Sequence, residues 1–233
     1  MFHAPRVAVL ATNRQSSQHG EQIMKVSIIG AGNMGSGFVK QLTRAGHEVF
    51  VTARNFAKAQ ALAAANPGAS AVSPETAAAQ ADIIVLATGF NEAIAALESL
   101  GSLQGKVVVD ITNPLTPDYM GLTIGHSNSA AEEIARAVPG ATIVKAFNTV
   151  FAQVLAEGAD FGAGQTVPVF VASDDATAKQ SVQALAQSIG FATIDAGGLK
   201  NARYLEPLGG LNIFFGYGAG QGTAIAPTWL HKA

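Results

Sequence analysis

The sequence predicts a doubly wound α/β fold, a parallel sheet covered by helices on both faces. From Lys25 onward, short β-branched runs alternate with alanine-rich helical stretches, the rhythm of successive βαβ units. The first of these apolar runs passes directly into a glycine-rich turn and then a helix, as the first strand of such a sheet does. A length of 233 residues is sufficient for one main core with a smaller appendage.

Strands are expected at 26–29, Glu48–Thr52, 82–87, 106–111 and 142–146, with a weaker one near Ala71 and Val72. Each is β-branched and bounded by turn residues. Helices are expected between them at 34–45, 56–65, Pro74–Gln80, 91–100 and 129–138. Pro74 behind Ser73 marks a first helical turn, and Ser129 with Glu132 makes an S-x-x-E capping box. The rhythm continues with a strand at 167–171, a helix at 175–189 and a strand at 191–195. An apolar helix then follows over 199–217, interrupted at Gly209 and Gly210. This divides the chain into residues 25–150, a dinucleotide-binding unit, and residues 151–233, a smaller C-terminal α/β part.

Composition narrows the partners. Lys+Arg 14 against Asp+Glu 16, net charge −2, provides no basic footprint for a phosphate backbone, so small molecules rather than nucleic acid are expected. The chain has no cysteine, which removes disulfides, thiolate nucleophiles and thiolate metal sites, and no other compact set of metal ligands is visible. The cytoplasm is the expected location. No stretch approaches the roughly 20 apolar residues of a membrane span. Residues 1–24 read as a disordered leader, with Met24 as an alternative start.

The most informative segment is Val26-Ser27-Ile28-Ile29-Gly30-Ala31-Gly32-Asn33-Met34-Gly35, a strand opening into G-x-G-x-x-G and a helix. Gly30 suits the tight turn, Gly32 lets backbone approach a pyrophosphate, and Gly35 lets helix and strand pack closely. The helix N-terminus supplies N–H donors to phosphate. An acid about 20 residues further on would select NAD, yet no Asp or Glu lies between Glu48 and Glu75. The second strand instead ends Thr52-Ala53-Arg54, with Lys58 one helical turn on. A guanidinium and an ammonium suit a ribose 2′-phosphate, so the expected cofactor is NADP.

Three further turns fall at the carboxyl edge of the expected sheet, where ligands of such folds bind. Ala87-Thr88-Gly89-Phe90 follows the fourth strand, and Phe90 is a candidate to flank the nicotinamide. Asn113 and Pro114 follow the fifth, and Asn148 follows the sixth. The two asparagines offer amide hydrogen bonds to the carboxamide or to a second ring. No residue is marked as a certain catalyst. His126, just before the capping box, is the one histidine placed to donate to a bound ring or exchange a proton. The aromatic and glycine-rich stretch from Leu211 to Gly218, followed by Trp229, reads as a dimer face, an aromatic wall for a second ring system, or both.

The segment from Met24 to Gly35, the Thr52-Ala53-Arg54 end with Lys58, Asp110 to Pro114, Ser129 to Glu133, Lys145 to Thr149, and Asp195 to Arg203 together resemble the coenzyme F420-dependent NADP oxidoreductase family. The N-terminal module is also similar to the cytoplasmic domain of the STEAP metalloreductases. The resemblance implies a Rossmann domain for NADP, a smaller C-terminal part, a homodimer, and hydride exchange between NADP(H) and the deazaflavin F420. FMN or FAD are alternative second partners. It places pyrophosphate on Gly30 to Gly35 and the 2′-phosphate on Arg54 and Lys58. The chain departs from the family in carrying Ala53 where a serine is usual, and Gly89 before Phe90 where proline is common. Rival readings are a flavin or ferric reductase driven by NADPH, a redox sensor that binds NADP without turnover, and an enzyme acting on imines or carbonyls.

Overall fold

The computed structural model describes residues 23–229. Most of the expected leader, together with His3, His19 and His231, lies outside the described residues. The chain runs β1 (Lys25–Ile29), α1 (Asn33–Arg44), β2 (Glu48–Thr52), α2 (Phe56–Ala64), β3 (Ala69–Ala71), α3 (Pro74–Gln80), β4 (Ile83–Leu86), α4 (Phe90–Glu98), β5 (Val107–Asp110), α5 (Ala130–Ala137) and β6 (Thr142–Lys145). These strands form one parallel sheet in the order β3-β2-β1-β4-β5-β6. The order reverses direction between β1 and β4, so the carboxyl ends of those two strands open a crevice. Several strands are a residue or two shorter than their apolar runs, because the chain leaves the ladder as it enters each turn.

Beyond β6 come α6 (Ala152–Glu157), β7 (Pro168–Val171), α7 (Ala176–Ser188), β8 (Ala192–Asp195) and α8 (Ala202–Ile213). A short 3₁₀ turn at Leu199–Asn201 precedes α8, and a π turn at Phe214–Gly218 continues it. Strands β7 and β8 pair in parallel. They join the β6 edge by a reciprocal antiparallel bridge, in which the Lys145 N–H donates to Ala172 O at 2.9 Å and the Ala172 N–H donates back at 3.0 Å.

Helix α6 has no expectation behind it in the sequence. Its six residues carry no capping side chain, and it forms because Val154 and Leu155 bury against α1. Gly37 on α1 permits the approach: a Cβ there would lie 3.0 Å from Leu155 Cγ. The expected break at Gly209 and Gly210 is absent, and α8 runs through both. Those glycines serve packing instead, since a Cβ on Gly209 would fall 2.7 Å from Asn113 Oδ1 and 2.9 Å from Asn148 O. Tertiary contact thus overrides the helix-breaking tendency of glycine.

One hydrophobic cluster joins Val26, Phe38 and Val51 to Leu155, Val169 and Leu185, so the β7-α7-β8 segment shares its core with one face of the main sheet. Phe147 stands between Phe38 and Phe191 in two edge-to-face contacts, at 4.9 and 5.7 Å, the favoured geometry for aromatic quadrupoles. The opposite face buries Ile29, Leu86, Leu97 and Ile134. Among the described residues no helix is long and apolar enough to cross a membrane.

Helix α8 is tied to the sheet by a buried ionic cluster. Lys145 at the end of β6 is fully buried, and its Nζ lies 2.9 Å from Asp110 Oδ2 and 2.9 Å from Glu206 Oε1. Every carboxylate oxygen is engaged: Asp110 Oδ1 accepts from the Thr112 N–H at 2.8 Å, and Glu206 accepts from the Ala130 and Ala131 N–H groups at 2.9 and 3.1 Å. Two carboxylates face one ammonium, and the first turn of α5 supplies partial positive charge to balance the second. Removing one member strands the others without water. Glu206→Ala is expected to cost about 3–5 kcal/mol in urea unfolding followed by circular dichroism, with Glu206→Gln losing less; a cost under about 1 kcal/mol would show that water replaces the carboxylate readily.

Candidate functional site

The end of β1 is constrained by backbone on both sides. Gly30 adopts φ +120, and a Cβ on it would fall 2.3 Å from Ala87 O at the end of β4. Its N–H donates to Thr52 O at 2.8 Å, which binds the end of β1 to the end of β2. Gly35, in the first turn of α1, leaves no room either: a Cβ would sit 2.0 Å from Gly30 O. Gly32 is the opposite case, exposed, with nothing within 4 Å of a Cβ position. Two glycines therefore close the strand-helix junction, and the third leaves an open floor. Gly32 is the N-cap of α1 and provides no side-chain cap, so among the described residues the N–H groups of Asn33 and Met34 have no acceptor and could receive an anion, with half-buried Ala31 beside them.

At the end of β2, Thr52 is buried, Ala53 half-buried, and Arg54 and Lys58 are exposed. Asn55 caps α2, its side chain accepting from the Lys58 N–H at 3.3 Å. The cap sets Arg54 just before the helix and Lys58 within its first turn. Among the described residues, no ion pair or hydrogen bond occupies either side-chain cation.

After β4, the Ala87 N–H donates to Ile29 O at 2.9 Å. Thr88 Oγ1 is buried with no hydrogen-bond partner, and Gly89 caps α4 without a side chain. Phe90 opens α4 and packs on the second core cluster. The two asparagines bind each other. Asn113 donates to Asn148 O at 2.8 Å, while Asn148 Nδ2 donates to Asn113 Oδ1 at 2.9 Å and to Leu205 O at 2.7 Å. Both amide hydrogens of Asn148 are thus spent inside the protein, and its buried Oδ1 has no partner. Pro114 accepts through its carbonyl from the Thr123 N–H at 2.7 Å, fixing the loop that leaves β5.

Thr112 escapes sequence reasoning. It is buried, its Oγ1 has no partner, and it sits at the end of β5 beside Asn113. Three polar atoms without a partner among the described residues, on Thr88, Thr112 and Asn148, therefore follow the ends of three adjacent strands. Buried polar atoms are rarely left unmade, so this edge is suited to a ligand that hydrogen-bonds. The only sequence signal for Thr112 is its place one residue before an Asn-Pro turn. His126 is exposed, with φ 57, in the cleft between the 122–126 loop and α8. A dinucleotide fits the edge itself: an open glycine floor, uncapped helix N–H groups, free cations, and orphaned polar atoms further along. Gly35→Ala is expected to force the Gly30 carbonyl aside, lowering stability by about 1–3 kcal/mol in thermal unfolding and weakening NADP binding in calorimetry; unchanged values in both would mean the junction has room that the backbone geometry denies.

Residues 25–114 match the family model described as NADP oxidoreductase coenzyme F420-dependent. The F420-dependent NADP reductase of Methanothermobacter thermautotrophicus is 32% identical over 207 residues, covering 80% of this chain and 86% of that protein. Metalloreductase STEAP3 of Rattus norvegicus is 31% identical over 185 residues, covering 79% of this chain; the chain spans only 36% of that protein's length. A crystal structure from Arthrobacter sp. FB24, provisionally assigned as an F420 dependent NADP-reductase, superposes with a TM-score of 0.74 at 31% identity, over 86% of this chain and 96% of that one. An imine reductase from Pseudomonas sp. shares the fold at 21% identity with a TM-score of 0.62. A strand-cradle-helix junction of this geometry, matched at this identity across most of a reductase's length, makes the chain a member of the coenzyme F420-dependent NADP oxidoreductase family, and so an NADP-dependent oxidoreductase.

Proposed function

We propose that this protein transfers a hydride between NADP(H) and a tricyclic second coenzyme, the deazaflavin F420 or a flavin. The observation that carries the reading is the pair of cations at the end of β2, Arg54 and Lys58, without an ion-pair partner among the described residues and with no Asp or Glu between Glu48 and Glu75, together with the open glycine floor at Gly32. An exposed guanidinium can hold a 2′-phosphate through two parallel hydrogen bonds, and Lys58 adds a point charge to the same dianion. The first turn of α1 receives the pyrophosphate. The dinucleotide then extends along the carboxyl edge toward Thr88, Thr112 and Asn148, whose buried oxygens suit the carboxamide and ribose.

When bound, the nicotinamide supplies the carbon that gives or accepts the hydride, and the protein's contribution is placement. Asn113 and Asn148 fix each other and the Leu205 carbonyl, so the edge loops and α8 form one rigid wall. No proton donor is required for that placement. In this reading, residues 25–150 carry NADP, while residues 151–233 supply part of the second coenzyme's pocket and the contacts of a homodimer. The dimer is supported by apolar side chains left exposed at the end of α8 and in the π turn that continues it, where Leu211, Phe214 and Phe215 are 49%, 46% and 39% exposed.

The likeness to STEAP3 supports a second reading, in which the electrons pass through a flavin to a metal chelate. Acceptor specificity separates the two. NADPH oxidation followed by its absorbance is expected to proceed with F420; turnover only with FMN or FAD and a ferric chelate would move the assignment to the second reading, and none with any acceptor would remove both. Arg54→Asp is expected to weaken NADP binding by about 1.5–3 kcal/mol in calorimetry and to improve relative use of NAD, whereas an unchanged cofactor preference would take the 2′-phosphate away from this site. Sedimentation equilibrium should give twice the monomer mass, reduced to one by Leu211→Asp; a monomeric parent chain would dispose of the dimer.

A further inference from the structure

The loop leaving β5 and the start of α8 enclose a cleft of about 760 Å³, within the range of ligand sites. Its walls include Leu122, His126, Lys200, Arg203, Tyr204 and Pro207. Three of these side chains bear cations or can do so, and among the described residues no Asp or Glu lines the cleft. Arg203 is already neutralised: its Nε and Nη2 donate to Glu132 at 2.8 and 2.7 Å, and that guanidinium holds the Glu132 carboxyl below the usual glutamate range. Lys200 is exposed and, among the described residues, has no ion-pair partner. His126 is likewise exposed, at φ 57, in a loop tightened by the Ser127 N–H donating to Gly125 O at 2.8 Å. Left-handed backbone is uncommon for a side chain with a Cβ. Tyr204, 75% exposed, offers a ring face beside the two cations.

The cleft adjoins the carboxyl edge of the sheet. Its wall residue Thr123 is hydrogen-bonded to Pro114, next to Asn113. About two turns of α8 form the partition: Tyr204 and Pro207 face the cleft, Gly209 meets Asn113 and Asn148, and Gly210 lies over Leu122. A molecule whose ring lies near the asparagine pair and whose flexible chain carries phosphate or carboxylate would find its counter-charge here.

We propose that the cleft between the 122–126 loop and α8 binds the anionic side chain of the second coenzyme, with Lys200 and His126 as charge partners and Tyr204 as an apolar side. This rests on the reading that a second ring-bearing coenzyme binds the protein. It assigns His126 to recognition rather than to proton transfer.

The test uses the full chain saturated with NADP and two matched pairs of ligands: F420 against its chromophore lacking the anionic chain, and FMN against riboflavin. Fluorescence titration is expected to show the anionic member binding at least tenfold tighter in one pair or both, with the advantage shrinking as salt rises. Lys200→Glu should reduce the advantage below threefold while NADP affinity stays within twofold. His126→Asn, which keeps a residue tolerant of left-handed backbone, should reduce it by a smaller factor. Equal binding within both pairs, no binding of any of the four, or an advantage untouched by Lys200→Glu overturns the proposal. Its failure is distinct from failure of the hydride-transfer reading: oxidation of NADPH by both members of a pair, bound with equal affinity, would leave that reading standing and dismiss this cleft. Selective anion binding with no NADPH oxidation would do the reverse.

Discussion

Lys145 lies under the end of the sheet with its ammonium between Asp110 and Glu206, all three side chains within 2% of complete burial. Bringing three charges out of water is costly, and attraction offsets that cost only where every lone pair is used. Here every carboxylate oxygen is engaged. Asp110 turns one oxygen to the Thr112 N–H, and Glu206 turns both to the first N–H groups of α5. Glu206 so completes, from a distant helix, the capping that Ser129 begins locally by accepting from the Glu132 N–H. The cluster has a consequence for the ligand edge. It pins α8 against β5, β6 and α5 at once, and α8 in turn presents Gly209 and the Leu205 carbonyl to the Asn113 and Asn148 pair.

Helix capping divides the framework from the carboxyl edge of the sheet in the same way. Asn55, Ser73, Ser129 and Asp175 cap α2, α3, α5 and α7 with side-chain oxygens. Helices α1 and α4 start after Gly32 and Gly89, with no side chain to satisfy their first N–H groups. Both begin at the strands that flank the reversal in sheet order. The stability forgone by leaving a helix uncapped is modest, about 1 kcal/mol, and what remains is a pair of donor-rich helix ends facing one crevice.

The fold was legible in the sequence because its evidence is local. Strand and helix periodicities, the Ser73-Pro74 and Ser129-Glu132 starts, and the Gly30 to Gly35 spacing each act within a few residues. Arg54 and Lys58 stand out by an equally local signal, a missing acid at a fixed place after β2, and the 2′-phosphate role drawn from it is a proposal. The short helix α6 was not, because its six residues are helical only by virtue of Leu155 packing on Gly37. The unbroken course of α8 through Gly209 and Gly210 was hidden for a related reason: those glycines answer to Asn113 and Leu122, nearly a hundred residues away in sequence.

By itself the sequence determined the parallel α/β framework, the glycine junction and the cationic end of β2, because local periodicity and hard-sphere backbone geometry leave few alternatives. Only the tertiary structure decided that Asn113 and Asn148 spend most of their hydrogen bonds on each other, that Thr112 is left with an orphaned hydroxyl, and that Lys145 bridges two carboxylates. Those outcomes depend on which polar atoms are sealed from water together, a matter of long-range packing that no spacing along the chain encodes.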